Sequence, residues 1–258
     1  MSSKHYSWWS QENLTHELYL NTYRDDWFAI ARMLASALEG GRELLDIGTG
    51  DGHTTEQLLS RLKGRYICDL VDPDARGLQI AMQRLKGFPI RDTRAMTITN
   101  YLATTDRKWD RMLAVHSNYY WTRTAAQTKI LLGHMADKLS PQGRIIIATE
   151  PMNGDYYKIA GRNAFHEGVL PGFIASHFVE RGMQVSVTPM RQLFYVGEAL
   201  ENDAAARRLF TFFGENRKEP NKQAVLAFQK RLRDTAKGEY IDFQDRIIVA
   251  TKPPQQPL

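Results

Sequence analysis

One short run, Glu43 to Gly52 (E-L-L-D-I-G-T-G-D-G), constrains this chain more than any other, because an apolar strand leads there straight into a glycine-rich turn. Glycines at alternate positions, Gly48, Gly50 and Gly52, let the backbone approach a ligand more closely than any side chain permits. The helix predicted next, Thr54 to Leu62, aims its free N–H groups at whatever sits there. A second predicted strand, Arg65 to Val71, ends in Asp72, placed to accept hydrogen bonds from ribose hydroxyls. A glycine turn with a distal carboxylate points to a nucleoside-containing cofactor.

Spacing narrows the choice. A dinucleotide fingerprint has the form G-x-G-x-x-G, and the position of its third glycine is taken here by His53. Instead Asp46 ends the strand and the glycines run G-x-G-x-G. A carboxylate beside the turn repels a pyrophosphate and suits an ammonium group. The segment resembles motif I of the class I S-adenosylmethionine-dependent methyltransferases. That resemblance implies S-adenosylmethionine as cofactor, with Asp46, Gly48, Gly50 and Gly52 framing its methionine end and Asp72, followed by Pro73, holding the ribose. It also implies an adenine site beside Ile98, Thr99 and Asn100, and a cofactor contact at Val115.

The 258 residues suffice for one α/β domain with a modest elaboration. The one cysteine, Cys68, excludes an internal disulfide and a thiolate metal cluster, so a cytoplasmic protein is expected. Neither an export signal nor a stretch long enough to span a membrane is visible; Lys4, Trp8 and Trp9 stand near the start without an apolar run. The net charge of +5 is dispersed, with local clusters only at Arg207–Arg208 and Lys230–Arg231–Arg233, both in amphipathic helical stretches. Nucleic-acid binding calls for a concentrated basic stripe with interleaved aromatics, so it is not expected.

The periodicity predicts helices over His16–Arg24 and Trp27–Leu38, ended by Gly40–Gly41. Strand and helix then alternate: strand 43–47, helix 54–62, strand 66–71, helix 74–85, a short strand near Ala95–Ile98, strand 110–116, helix 124–138 and strand 144–149, the last introduced by a Ser140–Gly143 turn. Such alternation predicts a Rossmann-like, doubly wound sheet of seven strands with helices on both faces. After Glu150 the glycine- and aromatic-rich stretch from Pro151 to Pro171 has the composition of a cover over a site. Helix near Gly172–Arg181, strands Gln184–Pro189 and Gln192–Val196, helices Asp203–Phe213 and Asn221–Ala236, and a last strand Asp245–Thr251 follow. This ending is similar to the reversed hairpin that closes the class I methyltransferase sheet, with a helical insertion before the last strand. The expected organisation is a helical lid and substrate segment over 1–40, a cofactor-binding core over 41–150, a C-terminal half with substrate-recognition insertions over 151–252, and a tail over 253–258.

No metal is expected: the seven histidines are scattered, without an H-x-x-x-H or H-E-x-x-H pair. The chemistry is expected at the end of the fourth strand, Leu113 to Trp121 (L-A-V-H-S-N-Y-Y-W), since ligands of parallel α/β sheets sit at carboxyl strand ends. Ser117-Asn118-Tyr119-Tyr120 lacks the prolines of the D/N-P-P-Y/F turn that nucleobase methyltransferases present there. His116 has an ordinary pKa suited to accepting a proton from a nucleophilic nitrogen, or else it is satisfied by backbone or cofactor hydroxyls. Tyr119 and Tyr120 offer electron-rich faces to a cation.

With its neighbours, this segment resembles the histamine N-methyltransferase family, where a K-W-D-x-I/M strand start leads to a Tyr-Tyr pair. Here these are Lys108-Trp109-Asp110-Arg111-Met112 and Tyr119-Tyr120. The likeness continues through Val71-Asp72-Pro73, an aromatic N-terminal helix and a final strand near Ile247–Ala250. By that resemblance Tyr119 and Tyr120 line the substrate pocket, with Asn118 beside them, and His116 stands where the family uses a polar amide. Asp25, or its neighbour Asp26, falls near the family's substrate-binding carboxylate, and either also suits the first turn of the helix containing Trp27. Tyr19, Tyr23 and Trp27 supply the aromatic surface of a lid over a small cationic amine. The family's asparagine before the last strand has no clean counterpart, although Asp242, Gln244 and Asp245 lie close.

The expectation is therefore a methyltransferase that moves a methyl group to a nitrogen of a small amine or imidazole, working as a monomer or homodimer. A small hydroxyl or carboxyl is the alternative acceptor, then a nucleic acid, then a protein that binds cofactor without turnover.

Overall fold

In a computed structural model of the chain, the residues described are 26–62, 66–151, 154–160, 166–213 and 220–254. Tyr19, Tyr23, Asp25 and the helix expected over His16–Arg24 lie outside them. The first helix, α1 (Asp26–Leu38), buries Ile30, Ala31, Leu34 and Leu38, a stripe at helical spacing. It ends at Gly40, whose φ of +79° is open to glycine at little cost. Its last carbonyls are taken up by the sheet: buried Arg111 donates from Nε to Leu38 O at 3.1 Å, and the Tyr66 hydroxyl donates to the same oxygen. The helix end is thereby satisfied without water.

Strands β1 (Glu43–Ile47), β2 (Ile67–Val71), β3 (Ile90–Arg94), β4 (Trp109–Val115) and β5 (Leu139–Thr149) run parallel. Between them lie α2 (His53–Arg61), α3 (Ala75–Arg84), α4 (Ile98–Thr104) and α5 (Ala125–Asp137). Helix α6 (Asp155–Ala160) and α7 (Pro171–Glu180) precede β6 (Gln184–Pro189) and β7 (Gln192–Tyr195). An insertion of α8 (Gly197–Glu201), α9 (Asp203–Phe213) and α10 (Lys222–Thr235) leads to β8 (Tyr240–Phe243) and β9 (Arg246–Thr251). The main sheet has seven strands in the order β3-β2-β1-β4-β5-β9-β6, with β9 antiparallel to both neighbours. The doubly wound architecture and the insertion before the last strand are as expected. Strands β7 and β8 form a separate antiparallel pair, which the sequence reading did not anticipate.

Alternation along each strand separates two cores. Leu44, Leu113, Ile146 and Ala148 face one, with α1, α2 and α3, with α10 through Phe228 and Leu232, and with the β7–β8 pair through Phe194 and Ile241. Leu45, Ile47, Met112, Ile145 and Ile147 face the other, against α4, α5 and α7. The third strand lies earlier than expected, at Ile90–Arg94, and Ile98 opens α4 because Thr97 accepts a hydrogen bond from Asn100 N–H at 3.3 Å. Strand β5 begins at Leu139 and takes the expected Ser140–Gly143 turn in as an irregularity: its register on β4 steps from Trp109↔Leu139 to Arg111↔Arg144.

Candidate active site

Sheet order creates the site. From β1 the chain winds outward to β2 and β3, whereas β4 and β5 lie on the other side, so the carboxyl ends of β1 and β4 form the switch point at which ligands of such sheets bind. The glycine turn fills one side of it. Gly48, Gly50 and Gly52 have φ values of +77°, +57° and +78°, and Gly52 leads directly into α2. A Cβ on Gly48 would stand 2.2 Å from Ser117 Cβ, so this glycine lets the turns after β1 and β4 touch. Ser117 ties them further, its hydroxyl donating to Ile47 O at 2.7 Å. At Gly50 a Cβ would meet nothing within 4 Å: the backbone there faces open space.

Two carboxylates flank the turn. Asp72 accepts from Gly50 N–H at 2.8 Å through one oxygen and from Asp74 N–H at 2.7 Å through the other, with half-buried Pro73 between. Each oxygen keeps a lone pair for a further donor. Asp46, only 5% exposed, accepts from the Thr55 hydroxyl of α2. Burial pushes both carboxyls up to about 6, against the hydrogen bonds that favour ionisation. Such carboxylates gain from a cation and from hydroxyl donors. A nucleoside with a positively charged end fits this set: an open glycine backbone, two under-compensated carboxylates and a helix N-terminus.

The other side is built by the turn after β4. His116 adopts φ +51°, a left-handed conformation that few residues other than glycine take, while its N–H holds Ala148 O at 2.9 Å. Its Nε2 lies 3.2 Å from Oδ2 of Asp245, and its Nδ1 lies 3.4 Å from the Tyr119 hydroxyl. Burial lowers the imidazole pKa, but the charge and hydrogen bond of Asp245 outweigh it, so His116 titrates above its ordinary value. The Tyr119 hydroxyl accepts from Glu150 N–H at 2.7 Å, and its ring meets Tyr120 edge-on at 6.3 Å. Tyr119 is buried and Tyr120 exposed. Asn118 is 2% exposed and donates from Nδ2 to Thr149 Oγ1 at 3.0 Å and to Val169 O at 2.9 Å, which fastens the stretch after β5 to this turn.

The fold thus gathers Asp46, Gly48, Gly50, Gly52 and Asp72 at the turn after β1, and His116, Tyr119 and Tyr120 at the adjoining turn after β4, with half-buried Val115 at the end of that strand. Thr99 and Asn100 are exposed on the first turn of α4. Trp27 belongs to the first turn of α1. Two groups stand out that the sequence reading did not assign: Ser117 as the link between turns, and Asp245 as the partner of His116. Asp245 was visible only as one of three polar residues before the last strand. Because β9 is antiparallel, its start lies beside the carboxyl end of β5 (Thr149↔Arg246), at the same rim as His116.

The sequence matches no protein-family model and no curated relative. Among solved structures, the chain is similar to an O-methyltransferase family protein from Burkholderia thailandensis, at a TM-score of 0.60 and 12% identity over 98% of this chain. It spans 62% of that protein's length. It is also similar to the N-methyltransferase NodS from Bradyrhizobium japonicum in complex with S-adenosylhomocysteine, at TM-score 0.57 and 13% identity, covering 95% of this chain and 98% of that one. Magnesium protoporphyrin IX methyltransferase from Synechocystis with bound S-adenosylhomocysteine gives 0.59 and 11%, over 97% of each chain. The fold is that of the S-adenosylmethionine-dependent methyltransferases. Its seven-stranded sheet, in the order β3-β2-β1-β4-β5-β9-β6, belongs to that fold.

Proposed function

We propose that this protein transfers a methyl group from S-adenosylmethionine to a nitrogen of a small molecule, an amine or an imidazole. The observation that carries the reading is the open, carboxylate-flanked glycine turn adjoining, through Gly48 and Ser117, the turn that bears the His116–Asp245 pair. S-adenosylmethionine, when bound, supplies a methyl group already activated on a sulfonium. Gly48, Gly50 and Gly52 would admit its amino-acid end beside Asp46, and Asp72 would hold the ribose hydroxyls. Thr99 and Asn100, with Val115, are the residues proposed to flank the adenine.

The chain's remaining tasks are alignment, exclusion of water and control of the acceptor's protonation. Tyr120 offers an exposed ring face for a cationic acceptor, Tyr119 closes the pocket behind it, and His116 manages the proton. Residues 1–40, with Tyr19, Tyr23, Asp25 and Trp27, are proposed to supply the lid, and the insertion between β7 and β8 to contribute to acceptor choice. The narrower resemblance to histamine N-methyltransferases supports the nitrogen acceptor. A phenolic or carboxylic acceptor is the second reading, favoured by the same imidazole–carboxylate pair, which would also serve a hydroxyl.

Calorimetric titration with S-adenosylhomocysteine, followed by a mass-spectrometric turnover screen with pooled amines, imidazoles and phenols, tests the proposal. Binding with one-methyl gains on amines or imidazoles is expected. Gains on phenols or acids alone would move the protein to the second reading, and absence of binding would end both.

A further inference from the structure

The pairing of His116 with Asp245 assigns the two ring nitrogens different jobs. An ionised carboxylate only accepts hydrogen bonds, so the nitrogen facing Asp245 Oδ2 at 3.2 Å, Nε2, carries hydrogen. In the neutral ring the lone pair is then on Nδ1. We propose that Asp245 is a positioning residue that makes Nδ1 of His116 the proton acceptor of this site, serving an acceptor whose reacting nitrogen arrives as an alkylammonium ion. This rests on the methyl-transfer reading and narrows it, from amine or imidazole to amine.

The surroundings of Nδ1 suit both protonation states. Tyr119 Oη accepts from the Glu150 N–H at 2.7 Å, and a phenol hydroxyl can both donate and accept. With His116 neutral, the phenol donates to Nδ1; with His116 charged, Nδ1–H donates to the phenol oxygen instead. At 3.4 Å this contact is at the long end for a hydrogen bond, so the lone pair is loosely held and open to a stronger donor. An ammonium N–H is such a donor. Its N–H bond breaks, the electron pair stays on the acceptor nitrogen as the lone pair needed for attack, and the proton binds Nδ1. The imidazolium so formed has both N–H groups satisfied and its charge set against Asp245, itself 2% exposed. The His116 side chain is 24% exposed, enough to return the proton to solvent.

Placement of the ring is enforced rather than incidental. The left-handed φ of His116 is unfavourable for a residue with a Cβ, and the bond from its N–H to Ala148 O on the sheet holds the backbone there. On the opposite side, Asp245 sits where the chain passes from β8 to β9, locked by Met190 N–H donating to its carbonyl at 2.8 Å. Among the described residues, Asp245 is the charged group that acts on the imidazole, and the raised titration of His116 agrees with the pairing. Tyr119 is the other titratable group among them that faces it. A neutral aromatic ring nitrogen has its lone pair already available and has no use for such a base.

Nitrogen-15 NMR titration of His116 tests the pair in the protein alone, without methyl donor. The wild type is expected to show the Nε2-protonated tautomer and a midpoint above the ordinary 6.5. In Asp245→Asn the midpoint should fall below 6.5, because burial then acts unopposed. A wild-type ring protonated on Nδ1, or a midpoint unmoved by Asp245→Asn, overturns the pair. Should that variant not fold, Asp245→Glu retains the carboxylate and must keep both tautomer and raised midpoint; loss of either overturns the pair equally. In turnover, Asp245→Asn should reduce kcat/KM for alkylamines by roughly 10²-fold near neutrality, with the deficit shrinking at alkaline pH, where the free amine is already present. An equal deficit at every pH, or turnover of imidazoles alone, refutes the ammonium acceptor. Lack of turnover with every acceptor would remove the methyl-transfer reading, and the NMR titration would still judge the pair.

Discussion

Asp46→Asn removes a charge that the ligand-free fold holds at a cost. The carboxyl is buried beneath the glycine turn, and its pKa stands at about 6 against an ordinary 3.8. At about 1.4 kcal/mol per pH unit, keeping it ionised in the folded state costs about 3 kcal/mol once the pH is well above 6. The sign follows from the raised folded value. The protonated carboxyl is preferred in the fold, so this group erodes stability as pH climbs from about 4 to about 6 and no further. Linkage gives a cost of about 1–2 kcal/mol at pH 5 and about 3 kcal/mol at pH 7.5. Asparagine keeps an oxygen for the Thr55 hydroxyl and carries no charge. The variant without ligand should therefore melt higher than wild type by roughly 5–10 °C near pH 7.5 and by visibly less near pH 5. On the proposed function, in which the carboxylate pairs with the cofactor's ammonium group, it should also bind S-adenosylmethionine at least tenfold more weakly. Scanning calorimetry of both proteins across that range, with parallel cofactor titrations, supplies the measurement. A variant less stable than wild type at neutral pH, or a difference that does not grow with pH, would refute the argument that burial raises this carboxyl.

The glycine turn separates folding from binding. Gly48→Ala should unfold the protein or cost at least about 2 kcal/mol, through its clash with Ser117 and its positive φ; a wild-type melting temperature would contradict the close approach. Gly50→Ala meets no neighbour and should cost only about 1 kcal/mol from its φ, yet lose S-adenosylhomocysteine binding by calorimetry. Asp72→Ala releases the amides of Gly50 and Asp74 and should weaken cofactor binding severely, so unchanged affinity would remove Asp72 from the cofactor site. Away from the site, Asp69 is fully buried with Arg91, Arg107 and Trp109 Nε1 upon it. Burial raises its pKa, but these partners outweigh it and hold the pKa low, so its stabilisation is present above the ordinary carboxyl value and fades as pH falls below. Asp69→Ala should cost about 3–5 kcal/mol by urea unfolding without changing the cofactor affinity of the folded protein; a loss below 1 kcal/mol would show the network to be idle.

The alternating strands and helices were legible because their signals are local. Strands 43–47 and 184–189 and the helix 203–213 have the expected limits, each marked by its own periodicity and flanking breakers. The third strand was misplaced for a physical reason. Ile90–Arg94 is the charged edge of the sheet, with no buried alternation to betray it, and the apolar residues just beyond open a helix capped by Thr97. The pairing of Gln192–Tyr195 with Tyr240–Phe243 joins strands across a helical insertion, and no local pattern encodes such a partner.

The same division runs through the site. Gly48, Gly50, Gly52 and Asp72 announce themselves within one strand–turn–helix–strand unit, since backbone approach demands glycine at fixed spacing. His116 is conspicuous in sequence only as a histidine at a strand end. Its tautomer, its raised titration and its left-handed backbone come from Asp245, Glu150 and Ala148, which reach it only because β5 lies beside β4 and an antiparallel β9 brings its start to the same rim. The chain's own order determined a glycine turn at the end of β1 on a doubly wound sheet. Which acid meets which base was decided by strand order and direction, because a charge pair depends on distance in space and not on separation along the chain.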